Sequence, residues 1–415
     1  MLPNNMRDFK NFLDVLLFNN SERFIRPFVQ WIKVLLQLCV NITYTPFAGM
    51  FWLLNIKFPD FYLKRIGHLM EEPDCFLKEH LLNNDRIPRS IMLAPKNNTA
   101  NQAAVRYWSK YFIVIENPLL TNFLKPLQVH PWTKFKTDRY VVAMYKTADI
   151  YRINAMWGTR PPLLKLKPSD IERGNEILKI MGIPQEGWFI CVHAREGKYS
   201  PHDENLHSYR NVSIADFEKS ISFIVSQGGF CVRMGDSTMT PAPNLPGLID
   251  YALSDYKQDW MDLFLAANCK FFLGSNSGAY AMATVFGKPS AVVGVAPLTA
   301  MPFGINDLGI PMLYMSDETN QIISFKEIME ASSSTYRLTE EFKKAGISLV
   351  KNTPDEILDL TIQQLELVQG KYVIEKDCDL REAQFKSMLK IGHYCYGNAS
   401  RVGDAFLAKY QHLLN

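Results

Sequence analysis

The chain has few cysteines and no C-x-x-C pair: seven among 415 residues, at 39, 75, 191, 231, 269, 378 and 395. An odd, scattered set cannot all pair within one chain. Cys191, Cys231 and Cys269 each sit in or beside an apolar run and read as small core residues of a reducing compartment. An excess of one charge is missing too, with 45 basic against 42 acidic residues and no block of like charge. No nucleic-acid motif, P-loop or G-x-G-x-x-G fingerprint appears, so a nucleic-acid partner, an NTPase and a nicotinamide enzyme are not expected. There is no internal repeat or low-complexity tract. The single D-x-D, Asp377-Cys378-Asp379, lies near the carboxyl terminus, far from the sheet edge argued below, and is not read as a metal site. The first residues carry Asp8 and Asp14 among their bases and no small-residue cleavage site, so a cytoplasmic protein is expected rather than a secreted one.

What is present is a chain 47% hydrophobic and 21% charged, a globular composition long enough for two domains. From Val34 to Ile56 there is no charged side chain, a length that could span a bilayer. Gln37, Asn41, Thr43, Thr45, Pro46, Gly49 and Asn55 make that run too polar and broken for a comfortable spanning helix. Upstream, Phe24, Ile25, Phe28, Trp31, Ile32, Leu35 and Leu36 recur at helical spacing beside Arg23, Arg26 and Lys33. Two readings fit: a helix lying among lipid headgroups through residues 24–56, or a helical hairpin packed on the protein's own body.

Strands are read at 89–95, 111–116 and 140–145, with a helix over 98–110 opened by an Asn and Thr cap. Arg65, Gly67 and His68 precede them, either functional or in a turn between helices. Pro161, Pro162 and Pro168 mark a hinge. Beyond it Ser169 and Glu172 form a capping-box pair, and apolar strands at 188–192, 230–234, 270–274 and 290–295 alternate with helices of 10–15 residues, as in a doubly wound sheet. Further helix starts are read at Ser213/Asp216, Ser324/Glu327 and Thr353/Glu356. The expected division is an amino-terminal helical segment 1–56, Rossmann-like domains 57–165 and 166–375, and terminal helices 376–415.

The chain is organised around Trp188 to Tyr199, WFICVHAREGKY, a buried strand that ends on His193 and Arg195. Ligands bind at the carboxyl ends of strands in open α/β sheets, and an arginine there can hold a phosphate with two parallel hydrogen bonds. A surface ion pair of Arg195 with Glu196 is the alternative. The second such end is Gly274 to Pro289, GSNSGAYAMATVFGKP, where a strand runs through small polar residues into a helix. Free N–H groups there bind anions, with Ser275, Asn276 and Ser277 as side-chain donors and Gly278 admitting a diphosphate close to the backbone; a plain helix cap is the alternative. Gly235-Asp236 ends a third strand. Asp250 and Tyr251 end a fourth, where they could hold a base or ribose. The loop KYSPHDENLHSYR holds His202, Asp203, Glu204 and His207, candidates for a general base or simply solvated.

The segments HAREGKY, HSYRNV, QGGFCVRMGD, IDYALSDYKQDWMDLFLAANCKFFLGSNSG and FGKP, with RIGHLMEEPDCFL near the start, resemble a family of bacterial glycosyltransferases linked to surface-polysaccharide clusters. More distantly, over residues 188–295, the H-x-R loop, the following aspartate and the serine turn are similar to the three motif regions of the fucosyltransferase superfamily. Both resemblances imply the GT-B fold, two Rossmann-like domains with a cleft between them. They imply Arg195 and Ser275 to Ser277 on the donor diphosphate, Asp236 near the nucleotide, and His193 orienting the loop. Glu196 departs from the second basic residue that many fucosyltransferases carry there. The expected activity is metal-independent transfer from a nucleotide-diphosphate sugar to a glycan or lipid-linked acceptor, without a cofactor. It would take place at the inner face of the cell membrane. A sugar-nucleotide epimerase or hydrolase of the same fold, or a non-catalytic nucleotide- or glycan-binding partner, is the alternative.

Overall fold

A computed structural model describes residues 22–142, 148–199 and 201–415. It opens on one helix, α1 (Glu22–Leu53), rather than a hairpin. The polar residues that argued against an unbroken helix bond back into it: the Thr43 and Thr45 hydroxyls donate to the carbonyls of Cys39 and Asn41 (2.9 Å each), and Gln37 donates to Asn41 (2.9 Å). Its last turns pack on the body, where Tyr44, Ala48 and Phe51 meet Ile56, Phe58, Ile91, Leu93, Leu124 and Leu127. Upstream, Trp31 is 68% and Val34 65% exposed, while Val29 is buried.

Strands β1 (Ile56–Pro59), β2 (Arg89–Leu93), β3 (Ile113–Ile115) and β4 (Lys134–Phe135) form a parallel sheet in the order β3-β2-β1-β4. Two of the three strands expected here are present, and β1 and β4 were not foreseen. Of the expected strand at 140–145, Tyr140 instead closes a turn of 3-10 helix, Val142 forms a β-bridge, and residues 143–147 lie outside the described residues. Helix α2 (Ile66–Leu82) follows β1, and α3 (Gln102–Trp108) follows β2 with Asn101 as its cap, accepting from the Ala104 N–H at 2.8 Å.

The second sheet has seven parallel strands in the order β13-β10-β9-β8-β5-β6-β7. They are β5 (Trp188–His193), β6 (Gly229–Arg233), β7 (Leu248–Ile249), β8 (Phe272–Ser275), β9 (Ser290–Val295), β10 (Leu308–Pro311) and β13 (Arg401–Val402), while β11 (Leu313–Ser316) and β12 (Ile347–Val350) pair antiparallel beside it. The chain winds outward from β5 through β6 and β7, then returns to β8 and winds the other way. The order therefore reverses between β5 and β8, and a crevice opens at their carboxyl ends. The capping boxes at Ser213, Ser324 and Thr353 are present. The one expected at Ser169 is not, because Pro168 takes the first helical position and places Ser169 inside the helix. Within residues 376–415, β13 extends the second sheet beside β10, and the Tyr394 carbonyl accepts from the Ala148 N–H at 3.0 Å.

One apolar core runs without a break from Phe61 and Trp108 beneath the first sheet through Phe264 and Phe286 to Phe406. The two halves meet backbone on backbone at Gly67 and Gly278, since a Cβ added at Gly67 would stand 2.9 Å from the Gly278 Cα, and the reverse holds. Any side chain at either position would push α2 away from the turn after β8.

Candidate functional site

A cavity of about 700 Å³ lies where the carboxyl ends of the two sheets face each other. Its size suits a nucleotide-sized ligand. From the second sheet, His193, Arg195, Asp236 and Ser277 line it; from the first, Arg65 to His68 and Glu71 on α2.

The site grows from the reversal between β5 and β8. His193 pairs in register with Gly274, and the Arg195 N–H donates to the Ser275 hydroxyl at 2.8 Å. Ser275 thus holds the Arg195 backbone, deep in the core. The His193 Nδ1 faces the Met234 carbonyl at 3.1 Å, an acceptor only, so Nδ1 carries the proton and Nε2 accepts from the Ser277 hydroxyl at 3.2 Å. Burial, with Arg233 and Arg195 nearby, lowers the His193 pKa and keeps the ring neutral. Ser277 also takes the Ala279 N–H at 3.3 Å, so it caps the turn and ties it to β5. Asn276 gives its side chain to the Ala296 carbonyl (3.0 Å) and its own carbonyl to Arg210 (2.8 and 2.5 Å). The space beside Gly278 is filled by Gly67.

Three arginines converge here. Arg195 donates to the His207 carbonyl at 3.3 Å and to the Asn211 side chain, and Glu204 stands 4.0 Å away. Arg210 and Arg337 line the same cavity. Burial lowers the Arg210 pKa, and the like charges of Arg195 and Arg337 lower it further. Among the described residues, the Arg210 guanidinium donates to the Asn276 carbonyl alone and forms no ion pair. His207 and Tyr209 grip the Arg337 carbonyl at 2.8 and 3.0 Å, so the loop after β5 holds all three together. Opposite, α2 begins at the cavity wall with no side chain capping it and no acid in its first turn, so its N-terminal dipole is not offset locally.

Several sequence-predicted residues are engaged with protein partners or lie off the cavity wall. Glu196 does not pair with Arg195; it binds the fully buried Arg233 (2.8 Å) and receives Thr240 (2.8 and 3.0 Å). Asp250 closes the other side of Arg233 (3.1 and 3.2 Å) and lies off the cavity wall. Tyr251 is buried beneath it and donates to Asp262 at 2.8 Å, so its ring offers no face to a base. Asp236 lines the cavity while accepting from Thr238 (2.8 and 2.5 Å). Glu204 leans on Arg195 and Asn211 in a neighbouring recess of about 600 Å³. The side chains of His202 and Asp203 lie outside the described residues. Arg210, Arg337 and Glu71 were not foreseen as site residues. Arg210 ends the loop already marked as rich in ionisable groups, and Glu71 follows the undecided Arg65-Gly67-His68, so a signal was present for both.

No protein-family model matches the sequence, and no curated protein matches it. Among solved structures the chain is similar to the ADP-heptose LPS heptosyltransferase II of E. coli, at 11% identity and TM-score 0.44 over 76% of this chain and 99% of that one. It is similar to a family 9 glycosyltransferase from Veillonella parvula, at 11% identity and TM-score 0.37 over 70% and 95%. It is also similar to the dodecameric iron-containing heptosyltransferase TibC of enterotoxigenic E. coli in complex with ADP-D-beta-D-heptose, at 13% identity and TM-score 0.34 over 57% of each chain. These structural neighbours are glycosyltransferases.

Proposed function

We propose that the protein moves a sugar from a nucleotide-diphosphate donor to a hydroxyl of a glycan or lipid-linked acceptor in the assembly of surface polysaccharide. The observation that carries this reading is Arg210: a desolvated guanidinium, crowded by two like charges and bonded only to a carbonyl, beside the crevice of the second sheet. Such a cluster is relieved by an anion that fits among the three arginines, and a diphosphate offers the oxygens for several paired hydrogen bonds. As the bond from sugar to diphosphate breaks, negative charge grows on the leaving oxygen. Arg195, Arg210 and Arg337 stabilise that charge with no reorganisation, a role a divalent ion plays in other transferases. The second sheet's side then holds the donor, and the wall built by α2 faces the acceptor.

The acceptor's lipid would lie near α1. Its uncovered face continues across Leu119 (82% exposed), Phe123 and Trp132, with the Phe47 and Phe123 rings 5.5 Å apart and those of Trp52 and Trp132 6.4 Å apart. Monomeric proteins rarely leave so broad an apolar patch to water, and lipid at the inner face of the cell membrane would cover it. Val29–Leu53 is also long and apolar enough to cross a bilayer.

A thermal-shift screen against UDP, GDP, CDP, dTDP and ADP, with magnesium and with EDTA, tests the donor site. One diphosphate raising the melting temperature in EDTA supports it, since a ligand of the native state stabilises by mass action. No shift with any of them sinks it. Flotation with anionic liposomes tests the lipid contact, which fails if the full chain stays in the dense fraction.

A further inference from the structure

Sugar transfer needs a base for the acceptor proton, and the cavity wall offers five carboxylates: Glu71, Glu196, Asp236, Asp259 and Asp262. Four are engaged. Glu196 holds Arg233, Asp236 closes on Thr238, Asp259 accepts the Gln102 N–H at 2.6 Å, and Asp262 is shared by Lys257 and Tyr251 (2.5 and 2.8 Å). Along α2 the same holds for the neighbours of Glu71. Glu72 accepts from His68 (2.9 Å), Thr137 (2.8 Å) and the Tyr62 N–H (3.2 Å), and Asp74 pairs with Lys78 at 2.6 Å. Among the described residues, nothing donates to Glu71.

We propose that Glu71 is the catalytic base, a reading that rests on the sugar-transfer assignment above. It sits one turn into α2, on the wall facing the acceptor, while the arginines that hold the leaving group come from the opposite sheet. A base and a leaving-group clamp on opposite walls is the arrangement that displacement at a carbon between them needs. The acceptor oxygen bonds to the anomeric carbon, the carbon–oxygen bond to the diphosphate breaks with its electron pair leaving on the phosphate oxygen, and the acceptor proton passes to the Glu71 carboxylate.

The electrostatic setting agrees. Burial lifts the Glu71 pKa to about 7; Glu72 and Asp74 raise it, and His68 pulls it down. From the facing elements come the phenols of Tyr151 and Tyr280, whose pKa values burial raises and the charge of Glu71 raises further. A carboxylate poised near neutrality holds a proton better than an ordinary one while remaining ionised in half the molecules at that pH.

The test uses the full chain and whichever sugar nucleotide the thermal-shift screen selects, with nucleoside diphosphate release to water as the readout. Glu71→Gln is expected to slow release by about 100-fold or more while binding the nucleoside diphosphate as the parent does. Wild-type release should rise tenfold per pH unit up to about pH 7 and then level off, and the variant should lose that rise. Azide, an anionic nucleophile with no proton to give up, should restore release in the variant. Release that is unchanged in Glu71→Gln, or a loss that azide does not restore, overturns the assignment while leaving the donor site standing. A wild-type chain that binds no nucleoside diphosphate overturns both readings.

Discussion

Arg233 and Arg210 approach the same crevice from neighbouring segments, one fully buried and one half-buried at the cavity, and they are opposites. Arg233, at the end of β6, is fully buried and clasped by Glu196 at 2.8 Å and Asp250 at 3.1 Å. Arg210 meets one carbonyl and two further arginines. Burial alone does not tell a structural arginine from one built to take a ligand; the local charge balance does. A cation clasped by two carboxylates is part of the scaffold, and the arginines gathered at the cavity are the ones we propose to take the ligand.

The largest effect should come from breaking the balanced member. Arg233→Ala leaves two carboxylates facing each other without their cation and should cost roughly 3–5 kcal/mol in urea unfolding, whereas a loss below about 1 kcal/mol would erase the distinction. Next, Arg210→Ala or Arg195→Ala should weaken nucleoside diphosphate binding by about 100-fold, near the upper range for charge-assisted hydrogen bonds. The fold should persist, and the melting temperature of the empty Arg210→Ala protein should hold or rise, because like-charge repulsion is removed. A fall comparable to that of Arg233→Ala would place Arg210 in the scaffold. Smaller still, raising salt from 0.05 to 0.5 M should weaken diphosphate binding several-fold through screening and leave urea stability almost unchanged. Ser277→Ala sharpens the comparison from outside it: losing the cap should cost about 1 kcal/mol, a stability effect with little change in diphosphate affinity while the arginines stay in place.

The second sheet was legible because β5, β6, β8 and β9 are apolar runs between clear glycine and serine punctuation. The first was half legible. Lys57 and Pro59 interrupt β1, and β4 and β13 are two residues long, too short for any periodicity to show. At the site, strand-end reasoning found His193, Arg195 and Ser277, since a strand's end fixes which edge its next residues reach. It does not fix where each side chain points, which is why Asp250 and Tyr251 turn into the body. Arg337 is held at the site by His207 and Tyr209, 130 and 128 residues earlier, which grip its carbonyl. Glu71 reaches it only because Gly67 and Gly278 let α2 come close. Contacts made across such separations leave no local pattern to read.

The uncapped start of α2 has a consequence at the bench. A cavity rimmed by guanidinium groups and open helical N–H groups does not discriminate sharply between a nucleotide's phosphates and the oxyanions of a purification buffer. Phosphate or sulfate carried over from chromatography or crystallisation would occupy the seat proposed for the donor, raise the melting temperature of the supposedly empty protein, and appear in assays as a competitive inhibitor. Preparation in an amine buffer with chloride as the only anion is therefore the condition under which the donor's own affinity can be read.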